Sequence, residues 1–311
     1  MGLENLISSE EIKKAAILML NDLEQSLDPR AYFEALGIAP YEWQVFVLEQ
    51  IQRGERFIHI TGARQSGKTF ITAGIPAHVS KNEKALTLIY APSEEQAGFG
   101  ISYLKEYIAR DEAYPKLKLE SKDHIELPNG SFIKSNTSSA KTKRGRSKPR
   151  LIIFDEAALI EDELYATITP MLVHNPHCVI IAISTPYGKK GWFYGARKSD
   201  RWLKVEVRAP FEIQGTSLIV PAIPEKEYKA KMIKEGVHAF YSPRHDDIKL
   251  IQTALIEHGS LWVRQEHFCE FVEPEDQAFS YDDIDAAFGF NDVKPLKLGE
   301  IAEIESEVVF S

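Results

Sequence analysis

Short, nearly solid apolar runs occur at residues 57–61, 85–91, 151–155 and 178–184. They are too short for core helices and rich in β-branched residues, so they predict strands buried on both faces. Between them, residues 41–53, 94–110 and 161–171 carry apolar positions at helical spacing. Strand-then-helix repetition of this kind predicts an α/β fold with a mostly parallel sheet flanked by helices. Residues 1–27 also follow helical spacing, and Asp28-Pro29 ends that run and opens the next helix. After Pro210 the alternation fades, and helices are predicted over 224–236 and 246–258. The expected organisation is a helical segment over 1–40, an α/β domain over 41–272 with a small helical lid subdomain from about 210 to 272, and an acidic linker over 273–311.

Chemistry enters where the first strand ends. Gly62-Ala63-Arg64-Gln65-Ser66-Gly67-Lys68-Thr69 matches the phosphate-loop pattern G-x-x-x-x-G-K-[ST] and lies between a predicted strand and a predicted helix. Gly62 and Gly67 let the backbone curl so that successive N–H groups face phosphate oxygens. Lys68 supplies a charge for the β- and γ-phosphates, and the Thr69 hydroxyl can ligate Mg²⁺. Leu151-Ile152-Ile153-Phe154 runs into Asp155-Glu156, as in a parallel strand that delivers carboxylates to the ligand edge of a sheet. There Asp155 would hold Mg²⁺, and Glu156 would orient or deprotonate an attacking water. Val179 to Ile183 ends in the hydroxyl pair Ser184-Thr185, which can sense the γ-phosphate or position water. Together the loop and the paired acids predict a nucleotide hydrolase, without saying what the hydrolysis drives.

Composition narrows this. The 311 residues are 44% hydrophobic and 27% charged, ordinary for a globular chain. No apolar run approaches the length of a membrane span, and the N-terminus lacks a secretory leader pattern. Cys178 and Cys269 are the only cysteines, so no disulfide framework is expected, and neither joins a zinc-type ligand pattern. The net charge of −9 argues against nucleic acid until its distribution is considered. Lys134 to Arg150 holds seven basic residues and no acid, and Lys189 to Arg201 holds five against one Asp. Stretches of that kind can grip a phosphate backbone. The Asn129–Pro149 stretch, with its short strand candidate at 131–135, reads as a surface loop.

Several stretches then resemble the ATPase domain of the large terminase subunit, the motor that packages DNA into tailed-phage capsids. They are Asp28-Pro29 through Pro40-Tyr41-Glu42-Trp43-Gln44, the Arg64-Gln65 pair, Arg144-Gly145, Thr185-Pro186-Tyr187-Gly188 with its continuation to Tyr194, and Trp262 to Phe271 with Phe279 to Ile284. The resemblance covers roughly residues 28–288 and implies a RecA-like P-loop core. It implies ATP and Mg²⁺ as cofactors, Gln44 at the adenine edge, Thr185 near the nucleotide, and Arg64 reaching the γ-phosphate or Glu156. Arg144 becomes the candidate finger supplied to a neighbouring subunit, with Arg146 as runner-up. Double-stranded DNA, the portal protein, the small terminase subunit and a homo-oligomeric ring are the implied partners. The implied place of action is the host cytoplasm, docked on the procapsid. Family members usually continue into a nuclease; here Asp282, Asp283 and Asp285 read as helix-capping acids, and no nuclease activity is expected of this chain. A single-core piece of a superfamily-2-type helicase or DNA-repair ATPase is the alternative, and a scaffold that binds ATP without turnover is a third.

Overall fold

The computed structural model describes residues 9–137, 148–172, 175–215 and 217–273. By contacts the chain divides into Met1–Val272 and Glu273–Ser311, and the architecture below belongs to the first unit. Its elements run α1 (Ser9–Leu27), α2 (Pro29–Ala35), α3 (Glu42–Gln52), β1 (Phe57–Gly62), α4 (Ile75–Asn82), β2 (Leu86–Ala91) and α5 (Glu94–Arg110). Then follow β3 (Leu119–Glu120), β4 (His124–Glu126), β5 (Phe132–Thr137), β6 (Leu151–Asp155), α6 (Asp162–Ile168), β7 (Val179–Ser184), α7 (Gly191–Lys198) and β8 (Leu203–Arg208). The chain continues through β9 (Phe211–Gln214), β10 (Leu218–Pro221), α8 (Glu225–Ile233), β11 (Val237–Tyr241), α9 (Ile248–His258) and α10 (Ser260–Glu266).

Nine strands form one sheet in the order β11-β8-β1-β7-β6-β2-β5-β4-β3. Every pairing from β11 to β5 is parallel, and only β3 and β4 run antiparallel at one edge. Alternate residues serve opposite faces. Ile58, Ile60, Ile181 and Val205 pack with Phe33, Trp43, Val47 and Phe70 on one side. Phe57, Ile180, Ala182 and Phe154 pack with Trp192, Phe193 and Trp202 on the other. Trp43 is a core residue, packed on the first side of the sheet. Asp28 caps α2 by accepting from the Arg30 N–H at 2.8 Å, which explains the break after residue 27.

Two parts differ from the sequence expectation. Leu203-Lys204-Val205-Glu206-Val207-Arg208 alternates charge with apolar residues like a half-exposed segment, yet β8 lies between two parallel strands. Lys204 and Glu206 are only 8% and 6% exposed. Glu206 accepts from Arg197 Nη2 at 2.6 Å and from the Tyr228 hydroxyl, so its charge is paired within the fold. Residues 210–272 supply β11 to the main sheet and a separate β9–β10 hairpin beside α8 to α10, making this region mixed in structure. Both cysteines are buried and free, and among the described residues no helix is long and apolar enough to cross a membrane.

Candidate functional site

The C-terminal ends of β1, β6 and β7 place the predicted chemistry at one sheet edge, since Thr61 pairs with Ser184 and Asp155 with Ile183. Beyond β1 the loop bends through Gln65 at φ 61° and Gly67 at φ 95°. At Gly67 a side chain would be strained and crowded: a Cβ would lie 2.9 Å from Gln44 Nε2 and 3.2 Å from the Tyr41 ring. The loop is anchored by backbone bonds from Ala63 N–H to Val207 O at 2.8 Å and from Arg64 N–H to Glu266 O at 2.7 Å. Ser66 is fully buried. Thr69, exposed, leads into a wide helical turn over Phe70–Gly74 and then α4.

Lys68 folds back over this loop, donating to Gly62 O at 3.2 Å and Ala63 O at 3.3 Å, and its Nζ lies 3.9 Å from Glu156 Oε1. Glu156 adopts a left-handed backbone, φ 47° and ψ 47°, immediately after β6. Such a conformation costs a non-glycine residue about 1–2 kcal/mol, and it turns this carboxylate toward Lys68 and Ser184. The Ser184 hydroxyl donates to Glu156 Oε2 at 3.1 Å. Asp155 accepts from the Glu156 N–H at 3.1 Å. Burial, and then the charge of Glu156, push the Asp155 carboxyl up to about 7 against the pull of Lys68. Asp155, half-buried with lone pairs to spare beside a second acid, is the side chain here best suited to a cation, and the exposed Thr69 hydroxyl could join it as a ligand. Among the described residues no group of three or more His, Cys, Asp or Glu side chains gathers as a metal site.

Other predicted residues take places that spacing alone does not reveal. Gln44, 3% exposed, accepts from the Tyr41 N–H at 2.7 Å and donates to Gly67 O at 3.0 Å. Its amide ties the start of α3 to the loop after β1, which uses one lone pair and one N–H and leaves one of each. The Arg64 side chain is 62% exposed and sits 3.7 Å from Glu266 Oε2, on the side of α10. Thr185 is half-buried at the sheet edge, but the hydroxyl that meets Glu156 belongs to Ser184. In the second basic stretch Arg197 is spent on Glu206, Arg201 stacks 3.9 Å over Phe57, and Lys198 lies 4.5 Å over Tyr194. Arg144, Arg146 and Asp282, Asp283 and Asp285 lie outside the described residues.

A mostly parallel sheet flanked by helices, with a glycine-bent loop after β1 and an Asp-Glu pair after β6 two strands away, defines a mixed α/β fold with the predicted chemistry at one sheet edge. Comparison with known proteins narrows the class. The large terminase subunit of Escherichia phage T5 is 31% identical over 164 residues, which is 50% of this chain and 36% of that protein. The large terminase ATPase domain of Thermus phage P74-26 superposes with a TM-score of 0.54 at 20% identity, over 78% of this chain and 97% of that domain. A mutant of that domain gives a TM-score of 0.57 at 19% identity, over 78% and 98%. No family model matches the chain. In sequence the chain resembles a phage large terminase subunit, and in fold the ATPase domain of one. The aligned stretch spans about a third of the T5 subunit's length.

Proposed function

We propose that this chain is the ATP-hydrolysing motor domain of a viral DNA-packaging terminase, working on double-stranded DNA without regard to sequence. The observation that carries this reading is the meeting of Lys68, Glu156 and Ser184 at the edge of the sheet, with Lys68 Nζ 3.9 Å from Glu156 Oε1 and Ser184 on Oε2. Loop N–H groups of Gly67, Lys68 and Thr69 would bind the β- and γ-phosphates, since those of Ala63, Arg64 and Ser66 are taken by backbone carbonyls, and Lys68 would exchange its own carbonyl partners for phosphate oxygens. A magnesium ion held by Thr69 and Asp155 would neutralise phosphate charge. Glu156 orients the attacking water and takes its proton beside Lys68, and Ser184 holds the carboxylate before it turns to the water. Arg64 leaves Glu266 to reach the γ-phosphate, and Thr185 lines the nucleotide. Gln44 holds the loop from the base side. Arg144 of a neighbouring subunit supplies charge in trans, which calls for a ring. Portal protein, the small terminase subunit and a procapsid in the host cytoplasm complete the setting.

Two substitutions test the division of labour. Glu156→Gln should keep ATP affinity within a few-fold and lower turnover by roughly 10²–10⁴, the usual worth of a general base. Lys68→Ala should weaken ATP binding itself, because its charge meets the ground state as well as the transition state. Turnover of Glu156→Gln within a few-fold of wild type would remove Glu156 from the role.

A further inference from the structure

Behind the catalytic edge, one face of the sheet carries a row of polar residues where an apolar row would be ordinary. Register places Glu206 of β8 beside Thr61 of β1, and Thr61 beside Ser184 of β7. Register partners in parallel strands project to the same face, so the three side chains are neighbours across the sheet. The row ends at Glu156, to which Ser184 donates, and at the other end Glu206 holds Arg197 of α7 and Tyr228 of α8. Glu206 is 6% exposed, Ser184 1% and Thr61 0%. Within the row Thr61 stands apart: its Oγ1 is buried and has no hydrogen-bond partner. A hydroxyl left unpaired in such a place is destabilising, and valine would fill the same volume without that cost.

We propose that Thr61 is a positioning residue that serves as the alternate partner of Ser184 when Glu156 turns to its water. Ser184 has one hydroxyl proton. In this structure Ser184 directs that proton to Glu156 Oε2 in a hydrogen bond, which draws charge from the carboxylate and weakens it as a base. To act, Glu156 must leave Ser184, and the Ser184 O–H would then be stranded in a buried site. Thr61 resolves this: its oxygen accepts from Ser184, while its own proton goes to Glu206, whose carboxylate has lone pairs beyond those used by Arg197 and Tyr228. In the state seen here Thr61 waits unpaired; in the second state both hydroxyls are satisfied. The row thus biases Glu156 between a held and a released position, and its far end rests on α7 and α8.

The proposal rests on the ATPase reading, and its test keeps the two separable. Steady-state ATP turnover would be measured for wild type, Thr61→Val, Thr61→Ser, Ser184→Ala and the Thr61→Val/Ser184→Ala pair, with ATP affinity and thermal midpoint measured alongside. Thr61→Val should lower kcat by about tenfold with KM and affinity within twofold, and without loss of thermal stability, since it removes an orphan. Thr61→Ser should restore kcat. With Ser184→Ala there is no hydroxyl to strand, so adding Thr61→Val should change nothing further. A kcat for Thr61→Val within twofold of wild type overturns the proposal, as does a loss that repeats in full on the Ser184→Ala background. Absence of turnover in wild type overturns both this and the ATPase reading.

Discussion

Asp155 gives a prediction whose size follows from its surroundings. Its carboxyl is pushed from 3.8 to about 7, first by burial and second by Glu156. Across that window the folded protein holds a proton that the unfolded chain has released. Stability of the nucleotide-free protein therefore falls as pH rises through the window, and the loss is complete above about 7. At about 1.36 kcal/mol per pH unit, the part between about pH 5 and pH 7 amounts to at most about 3 kcal/mol. Asp155→Asn removes the titration while keeping an oxygen to accept from the Glu156 N–H. Urea unfolding of both proteins at about pH 5 and about pH 7.5, without nucleotide or divalent ions, reads the effect directly. The stability of Asp155→Asn relative to wild type should rise by up to about 3 kcal/mol between the two pH values. Equal pH dependence in the two proteins would refute the reasoning, because other titrating groups are common to both.

The remaining predictions concern the loop and the ring. Gly67→Ala places a Cβ 2.9 Å from Gln44 Nε2 at a φ of 95°, so ATP affinity should drop at least tenfold, about 1.4 kcal/mol; unchanged affinity by titration calorimetry would show that the loop tolerates the shift. Arg144→Ala should lower turnover by roughly 10³–10⁵ if it is the trans finger. Mixing it with Glu156→Gln should restore phosphate release where assembled rings pair an intact Arg144 with an intact Glu156. Full activity of Arg144→Ala alone, or no recovery in demonstrably mixed rings, would exclude it.

Strands β1, β2, β6 and β7 were legible because each announced itself by a nearly unbroken apolar run, and the meeting of the loop with the paired acids because both are consecutive residues with fixed spacing. β8 was hidden since Lys204 and Glu206 break its apolar run, and their partners lie outside the strand: Asp200 in the turn before it for Lys204, and Arg197 of α7 and Tyr228 of α8 for Glu206. β11 follows a charged helix with only Val237-His238-Ala239-Phe240-Tyr241 to mark it. Ser184 and Thr185 are adjacent, so spacing cannot say which one faces Glu156; strand parity, which puts Ser184 on the face of Ala182 and Ile180, could have. Nor does Gln44 reveal in sequence that its amide bridges two elements, accepting from Tyr41 at the start of its own helix and donating to Gly67.

The measurement that bears most directly on the motor reading is phosphate release from Mg·ATP with and without duplex DNA. Duplexes of unrelated sequence should stimulate turnover alike, with stimulation falling steeply as salt rises and without strand separation. Turnover indifferent to duplex DNA, or hydrolysis coupled to strand separation, would contradict a packaging motor.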